Sequence, residues 1–461
     1  MARMNEPSGA IKGRNPLSDQ AMPPFAENEV SEAAVWIEAD KYIPKKSCPS
    51  IAGPGADREI SGLKIQSDLE RLSGIVVHGD AWEPASYTVR DSKIELSGYG
   101  VSDFTSRGAG ALVYGGGELI LDNVDIITRG SGRSATIATE RGTLRVKNSR
   151  LASHGGPLPP DYEPVIGPGM MEPPWPLGLE GNTRTHLSMD GSRTFFDNCE
   201  LYGAGWAVLS TDSSGGCLYL EASDCKLEMS GNGYITYADN GCHNVFNRCS
   251  ASTGNMFAII DGNASVTAKD TAAICMKNAF VLHGALPEWI DVNILDIEGG
   301  SFRASENVIF AKSANADIYV KGAALLAEHG AILRSVCNDD PMYYKMAAKG
   351  PDCYGVQATF EDMIIDGDIL HEDTDRKMRI SLADTVLTGR LTGNPVLNLY
   401  GGSRWTATDD SVVTVETDTD SSCFDAPAGV TITVTAAGSC RLAGEYTLAG
   451  GGRLRVQIND T

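Results

Sequence analysis

The sequence contains no run of 18 apolar residues, so no segment is long enough to cross a membrane as a helix. It also lacks long stretches of 3.6-residue periodicity, which excludes a helical bundle or a helical repeat. Positive charge is scarce: 38 Lys and Arg stand against 60 Asp and Glu, a net charge of −22. Such a chain repels phosphate backbones and anionic lipid, so neither nucleic acid nor a membrane is an expected partner. The first 25 residues hold no apolar core of a secretory signal, and a cytoplasmic location is expected. No GxGxxG joins a strand to a helix, and neither GxxxxGK[ST] nor GxSxG occurs, so no nucleotide cofactor is expected. The 11 cysteines are odd in number and form no CxxC pair, so they read as reduced core residues.

Glycine is abundant instead, 51 of 461 residues. From about residue 56 to 336, short apolar runs alternate with Gly, Asn, Asp and Ser turns. Residues 117–126 (GELILDNVDI), 142–151 (GTLRVKNSRL), 194–201 (TFFDNCEL) and 217–229 each give a strand, a polar bend and a second strand. A third strand follows each, and the cycle repeats every 22–29 residues. Asn or Asp at equivalent bends fits, because both tolerate left-handed backbone.

This coil pattern resembles the right-handed parallel β-helix proteins of the pectate-lyase-like superfamily, over about residues 56–400. The resemblance implies an all-β, single-stranded parallel β-helix. Residues 1–55 are expected to hold a flexible N-terminus and a capping segment, with helical spacing over 27–42 (ENEVSEAAVWIEADKY). Residues 401–461 read as further coils or a small β cap. Two insertions interrupt the cycle. Residues 154–185 hold eight of the 21 prolines and read as a stiff loop over a site, and 338–355 is the second.

Aligning the third strands puts a polar column at their ends: Tyr114, Glu140, Asp212, Tyr237, Asp239, Asp261, His283 and Lys312, with Arg334 as a possible extension. Close carboxylates push each other's pKa apart, and His titrates near neutrality. Asp212, Tyr237, Asp239, Asp261, His283 and Lys312 are therefore the candidate catalytic residues. Arg184 and His186, at the end of the Pro-rich insertion, would bind substrate from the lip of a cleft. Trp175, Trp206, Tyr114 and Met171 would wall it. Asn338, Asp339 and Asp340 place oxygen ligands together, as calcium sites and ordinary turns both do. The polygalacturonases of the superfamily carry acid, acid, His and Lys motifs on successive coils. The matching positions are Asp212, Asp239, His283 with Gly284, and Lys312, without the family's Asn, second paired Asp and Arg.

The residues support a cytoplasmic, cofactor-independent enzyme that moves protons, as isomerase or lyase, on a small oxygenated ring-containing molecule. His283 or one of the three aspartates would be the base, a protonated acid or Tyr237 its partner, and Lys312 or Arg184 the oxyanion stabiliser. The resemblance implies an alternative, a glycan lyase or glycoside hydrolase acting on an oligosaccharide. A non-catalytic, adhesin-like binding solenoid is the third reading. A homo-oligomer is compatible with all three.

Overall fold

A computed structural model describes residues 33–80, 85–102, 104, 107–165, 169–174, 177–212, 217–284, 292–339 and 354–458. Within them the chain is a parallel β-helix of three strand faces. The first face is a sheet of fourteen strands, parallel except at its N-terminal edge, where Lys41–Tyr42 folds back on Ala33–Glu38. The other two faces meet at a bend, and from Ile364–Asp366 onward the third face becomes a separate sheet of four strands.

Each coil stacks on the last in register. Leu144 pairs with Leu119 and Thr194, and Leu151 with Ile126 and Leu201. Apolar side chains alternate inward along every strand and fill one continuous interior. Its middle is a run of rings: Phe246 to Phe257 at 5.1 Å, Phe257 to Phe280 at 5.5 Å, and Phe280 to Phe302 at 4.7 Å.

Two turns give the coil its corners. Between the second and third faces most coils place one left-handed residue, Asp91, Asn123, Asn148, Asn198 and Asp224 among them. Their side chains bond along the stack, Asn198 Nδ2 to Asn148 Oδ1 at 2.9 Å and Asn123 Nδ2 to Asp91 Oδ1 at 2.7 Å. Just inside this bend Cys199, Cys225 and Cys249 lie on successive coils, buried and unoxidised. The turn after the first face uses two left-handed residues in succession: Gly115–Gly116, Asp190–Gly191, Asn240–Gly241 and Gly262–Asn263. Backbone bonds such as Gly117 N to Tyr114 O (3.1 Å) and Cys242 N to Asp239 O (2.9 Å) close these turns, the geometry of type I′.

The helix expected over 27–42 is corrected. Residues 33–38 are the strand Ala33–Glu38, paired in parallel with Ser73–His78. Ala33 to Ile37 are all buried, and a run buried on both sides mimics helical spacing. At the other end Ser411–Val415, Thr431–Ala436 and Arg453–Ile458 continue the second face, and Gly444–Thr447 folds back antiparallel on the last of them.

Arg133 ties the early loops together. It is fully buried, and its guanidinium donates to the carbonyls of Gly98, Leu72, Gly108, Leu69 and Tyr99 at 2.8–3.2 Å. Arg133→Leu strands these acceptors and is expected to cost at least about 3 kcal/mol in urea unfolding. A loss below about 1 kcal/mol would show that the loops hold without the guanidinium.

Candidate functional site

The ends of the first-face strands form a straight file. Thr211 pairs with Ala238 and Ala238 with Ile260, so Asp212, Asp239 and Asp261 follow on successive rungs. Asp261 pairs with His283 and His283 with Lys312. The structure thus brings five of the six expected catalytic residues into one register. Tyr237 lies on the same outward face two residues before Asp239, its ring 5.9 Å from that of Tyr234.

Around this file the contacts are specific. Arg184 Nη1 reaches Asp212 Oδ2 at 3.0 Å, and the guanidinium lies 4.0 Å from the Trp206 ring centre. Trp206 packs edge-on against Tyr234 at 5.9 Å, and its buried Nε1 has no hydrogen-bond partner among the described residues. Tyr234 Oη bonds Ser210 Oγ at 2.9 Å. Cys242 Sγ donates to Asp239 Oδ1 at 3.8 Å, and burial, then the Asp239 charge, pushes that thiol upward in pKa. His283 Nδ1 is 3.9 Å from Asp261 Oδ2, and its Nε2 is 3.0 Å from Asn338 Nδ2. Asp239, Asp261 and His283 are each about 4–5% exposed.

Several other files of stacked charges alternate in sign, although Lys64 stacks on Lys93 at the start of one of them. Arg90, Asp122, Lys147 and Asp197 form one such file. Lys93, Asp125, Arg150, Glu200 and Lys226 form a second, and Lys269, Glu298, Lys321 and Glu361 a third. Like charges directly opposite are destabilising, so alternation is what in-register stacking favours. Asp212, Asp239 and Asp261 break the rule with three acids in a row.

Several expected members belong elsewhere. His186 points inward: it is fully buried, Nδ1 is 3.0 Å from Thr136 Oγ1, Nε2 is 2.8 Å from Ser188 Oγ, and its ring meets Phe196. It cannot reach a substrate. Glu140 sits one residue into the turn, and Thr139 and Met189 take the rungs between Tyr114 and Asp212. Arg334 pairs with Phe310, in the file of Tyr237, and binds Glu372 at 2.8 Å, while Val336 stacks on Lys312.

Met171 is buried against Gly132, and Met170 and Leu179 of the insertion pack on Trp206, Tyr234, Ile259 and Val281. The insertion therefore fills the outer face rather than roofing an open cleft. Trp175 and Asp340 lie outside the described residues. Asn338 turns its amide to His283, and Asp339 is exposed. Ligand atoms of Cys337, Asp373 and Asp375 lie within 4.8 Å of one another, but Asp373 is already in a buried ion pair with Arg376 at 3.2 Å. A groove of 770 Å³ runs along the Asp/Asn bend, on a different corner of the coil from the aspartate file.

Sequence reading missed Glu38 and His78. Glu38 was hidden in the expected helix, and its signal was the Glu–Ala–Asp triplet, another left-handed pair closing a first-face strand. His78 lies directly between Glu38 and Tyr114 in register.

Burial pushes the His186 imidazole down to about 3. The unfolded chain protonates it below about pH 6.5, so between these values the unfolded state binds the extra proton and stability falls as pH falls. The slope is at most about 1.4 kcal/mol per pH unit. In urea titrations from about pH 7 to pH 4, His186→Gln should lose this part of the acid sensitivity. An unchanged slope would mean that the buried imidazole accepts a proton.

No protein-family model matches the sequence, and no curated protein matches it. Among solved structures the chain is similar to the tailspike protein gp49 from Pseudomonas phage LKA1, with 12% identity and a TM-score of 0.27. The match covers 83% of this chain and 54% of the tailspike chain, so this chain spans about half the tailspike's length.

Proposed function

We propose that this β-helix is a carbohydrate-active enzyme that cleaves glycosidic bonds with the carboxyl groups of Asp239 and Asp261. The observation that carries this reading is the in-register stack of Asp212, Asp239 and Asp261, three acids in succession with His283 and Lys312 on the next rungs. Neighbouring rungs are about 4.8 Å apart, close to the roughly 5 Å carboxyl separation of retaining glycosidases. Two carboxyls this near share a proton, one acting as acid while the other stays ionised. The protonated one gives its proton to the leaving glycosidic oxygen as the ionised one attacks the anomeric carbon. Water, activated by the first, then releases the sugar.

The neighbours suit these tasks. His283 stands beside Asp261, and Lys312 on the next rung adds positive charge. Arg184 engages Asp212, which leaves the third acid to hold position rather than to react. Tyr237 is the partly exposed ring on which a sugar would pack, with Tyr234 and Trp206 buried behind it.

A second reading, proton transfer on a small oxygenated ring, draws on the burial of Asp239, Asp261 and His283. Enclosure of that degree suits a small ligand better than a polymer.

The test is release of reducing ends from a panel of oligosaccharides. Asp239→Asn and Asp261→Asn should each lower kcat by roughly 10²–10⁴-fold, with melting temperatures near wild type. Full activity in either variant removes that residue from the mechanism. Turnover of small oxygenated rings with every glycan left intact would favour the second reading.

A further inference from the structure

The N-terminal end of the same strand edge carries a second, more open constellation. We propose that Glu38, His78, Tyr114 and Glu140 form a distal binding site for a polyhydroxylated ring such as a sugar. The ligand class rests on the glycan reading; the site stands on its own geometry.

Register brings the group together. Glu38 pairs with His78 and His78 with Tyr114, on three successive rungs, and Glu140 opens the turn after the next. The His78 imidazole lies flat on the Tyr114 ring at 4.4 Å and 14°, and Trp36 meets that ring edge-on at 6.5 Å. Trp36 Nε1 donates to Glu38 Oε1 at 2.8 Å, Lys46 Nζ donates to the same oxygen at 2.5 Å, and His78 Nδ1 is 3.6 Å away. Trp36 and Lys46 are thus the frame that fixes Glu38.

Access separates this group from the aspartate file. The His78 and Glu38 side chains are 35% and 29% exposed, against 5% each for His283 and Asp261. The turn beside the imidazole is bare. A Cβ on Gly115 would strike the Gly79 carbonyl at 1.9 Å and the His78 ring at 2.8 Å, so this turn packs bare against both. A Cβ on Gly116 would meet nothing within 4 Å, so the space beyond is open. Tyr114 and Asp212 are three rungs, about 14 Å, apart, with Thr139 and Met189 between, so the two groups do not share a ligand atom.

Glu140 supplies a further sign of function. It and Arg141 hold φ of 46° and 63° at a turn that otherwise uses Gly, Asn, Asp, Ala or Ser. Arg58, Arg71 and Arg248 hold positive φ singly, but only here among the described residues do two long side chains take it in succession, and such strain gathers where a side chain has a task. Burial, then the Asp190 charge, raises the Glu140 carboxyl above its ordinary pKa, with His78 opposing. Glu38 moves the other way: burial opposes ionisation, but the Lys46 and Trp36 hydrogen bonds hold it below the ordinary value. The two carboxyl groups offer hydrogen-bonding oxygens to ring hydroxyls, on either side of the stacked His78 and Tyr114.

The full chain is titrated with glucose, galactose and N-acetylglucosamine, each as monomer and as linear trimer, while the histidine ring signals are followed by NMR. At least one sugar should shift His78 saturably and leave His243, an exposed histidine bonded to Ser265 elsewhere on the coil, in place. Glu140→Asn should weaken that binding at least about tenfold while raising the melting temperature, because Asn accepts the left-handed turn that Glu resists. Glu140→Gln should weaken it without that gain. The site is overturned if no sugar moves His78, if His78 and His243 shift together, or if both variants bind as wild type. Glycan cleavage with a silent His78 would remove this site and leave the catalytic reading standing. A His78 shift without any turnover would keep the site and remove the catalytic reading.

Discussion

Everything in this molecule depends on parallel strands stacked in register at about 4.8 Å per rung. That one constraint turns sequence recurrence into straight files of side chains. Phe246, Phe257, Phe280 and Phe302 become a ring stack inside, and Cys199, Cys225 and Cys249 become a thiol file under the bend. The same constraint carries Asp212, Asp239, Asp261, His283 and Lys312 into a file on the outer edge. The left-handed turns hold the register, because a coil one residue out of step would put a bulky residue where the backbone demands a positive φ.

That is why the order of the aspartate file was legible in the sequence. Several first-face strands run into a turn of Gly, Asn or Asp, and counting back from that turn fixes the rung. Counting fails where the turn looks unlike its neighbours. Glu–Arg at 140–141 reads as strand, so Glu140 was placed one rung position early, and Thr139 and Met189 went unnoticed. Parity is the second weak point. His186 is an even number of residues from Ser188, so both face inward, and no pattern in a strand buried on both faces reveals it. A strand buried on both faces also hid Glu38, since an unbroken apolar run looks alike as strand or helix. The packing of the Pro-rich insertion was beyond reach of local pattern, because it depends on Met170 and Leu179 meeting Trp206 and Tyr234 across distant coils.

Stacking also sets an electrostatic problem that most sequences with this architecture must solve. A residue type that recurs once per coil meets itself, and a chain with net charge −22 is rich in acids to misplace. Several files on the second and third faces solve it by alternation, as in the one from Lys269 to Glu361. The exposed pairs this creates, such as Lys321 with Glu361 and Arg248 with Asp224, are screened by solvent and add little by themselves. Their value lies in avoiding repulsion rather than in attraction, which is a matter of register more than of stability.

Against that background the aspartate file is informative because it gives up the solution. Three acids in succession, two of them nearly enclosed, repel one another where a Lys or a Ser at Asp239 would satisfy the rule. The flanking residues limit the damage without removing it: Arg184 meets Asp212 at one end, and His283 and Lys312 stand at the other. The middle acid, Asp239, accepts from the Cys242 thiol. Local rules agree with the fold nearly everywhere else along this chain, and places where a sequence departs from them tend to be those where chemistry sets the choice. A turn that takes Glu and Arg in left-handed backbone and a rung that stacks acid on acid are two such departures, and both lie on the same edge of the same sheet.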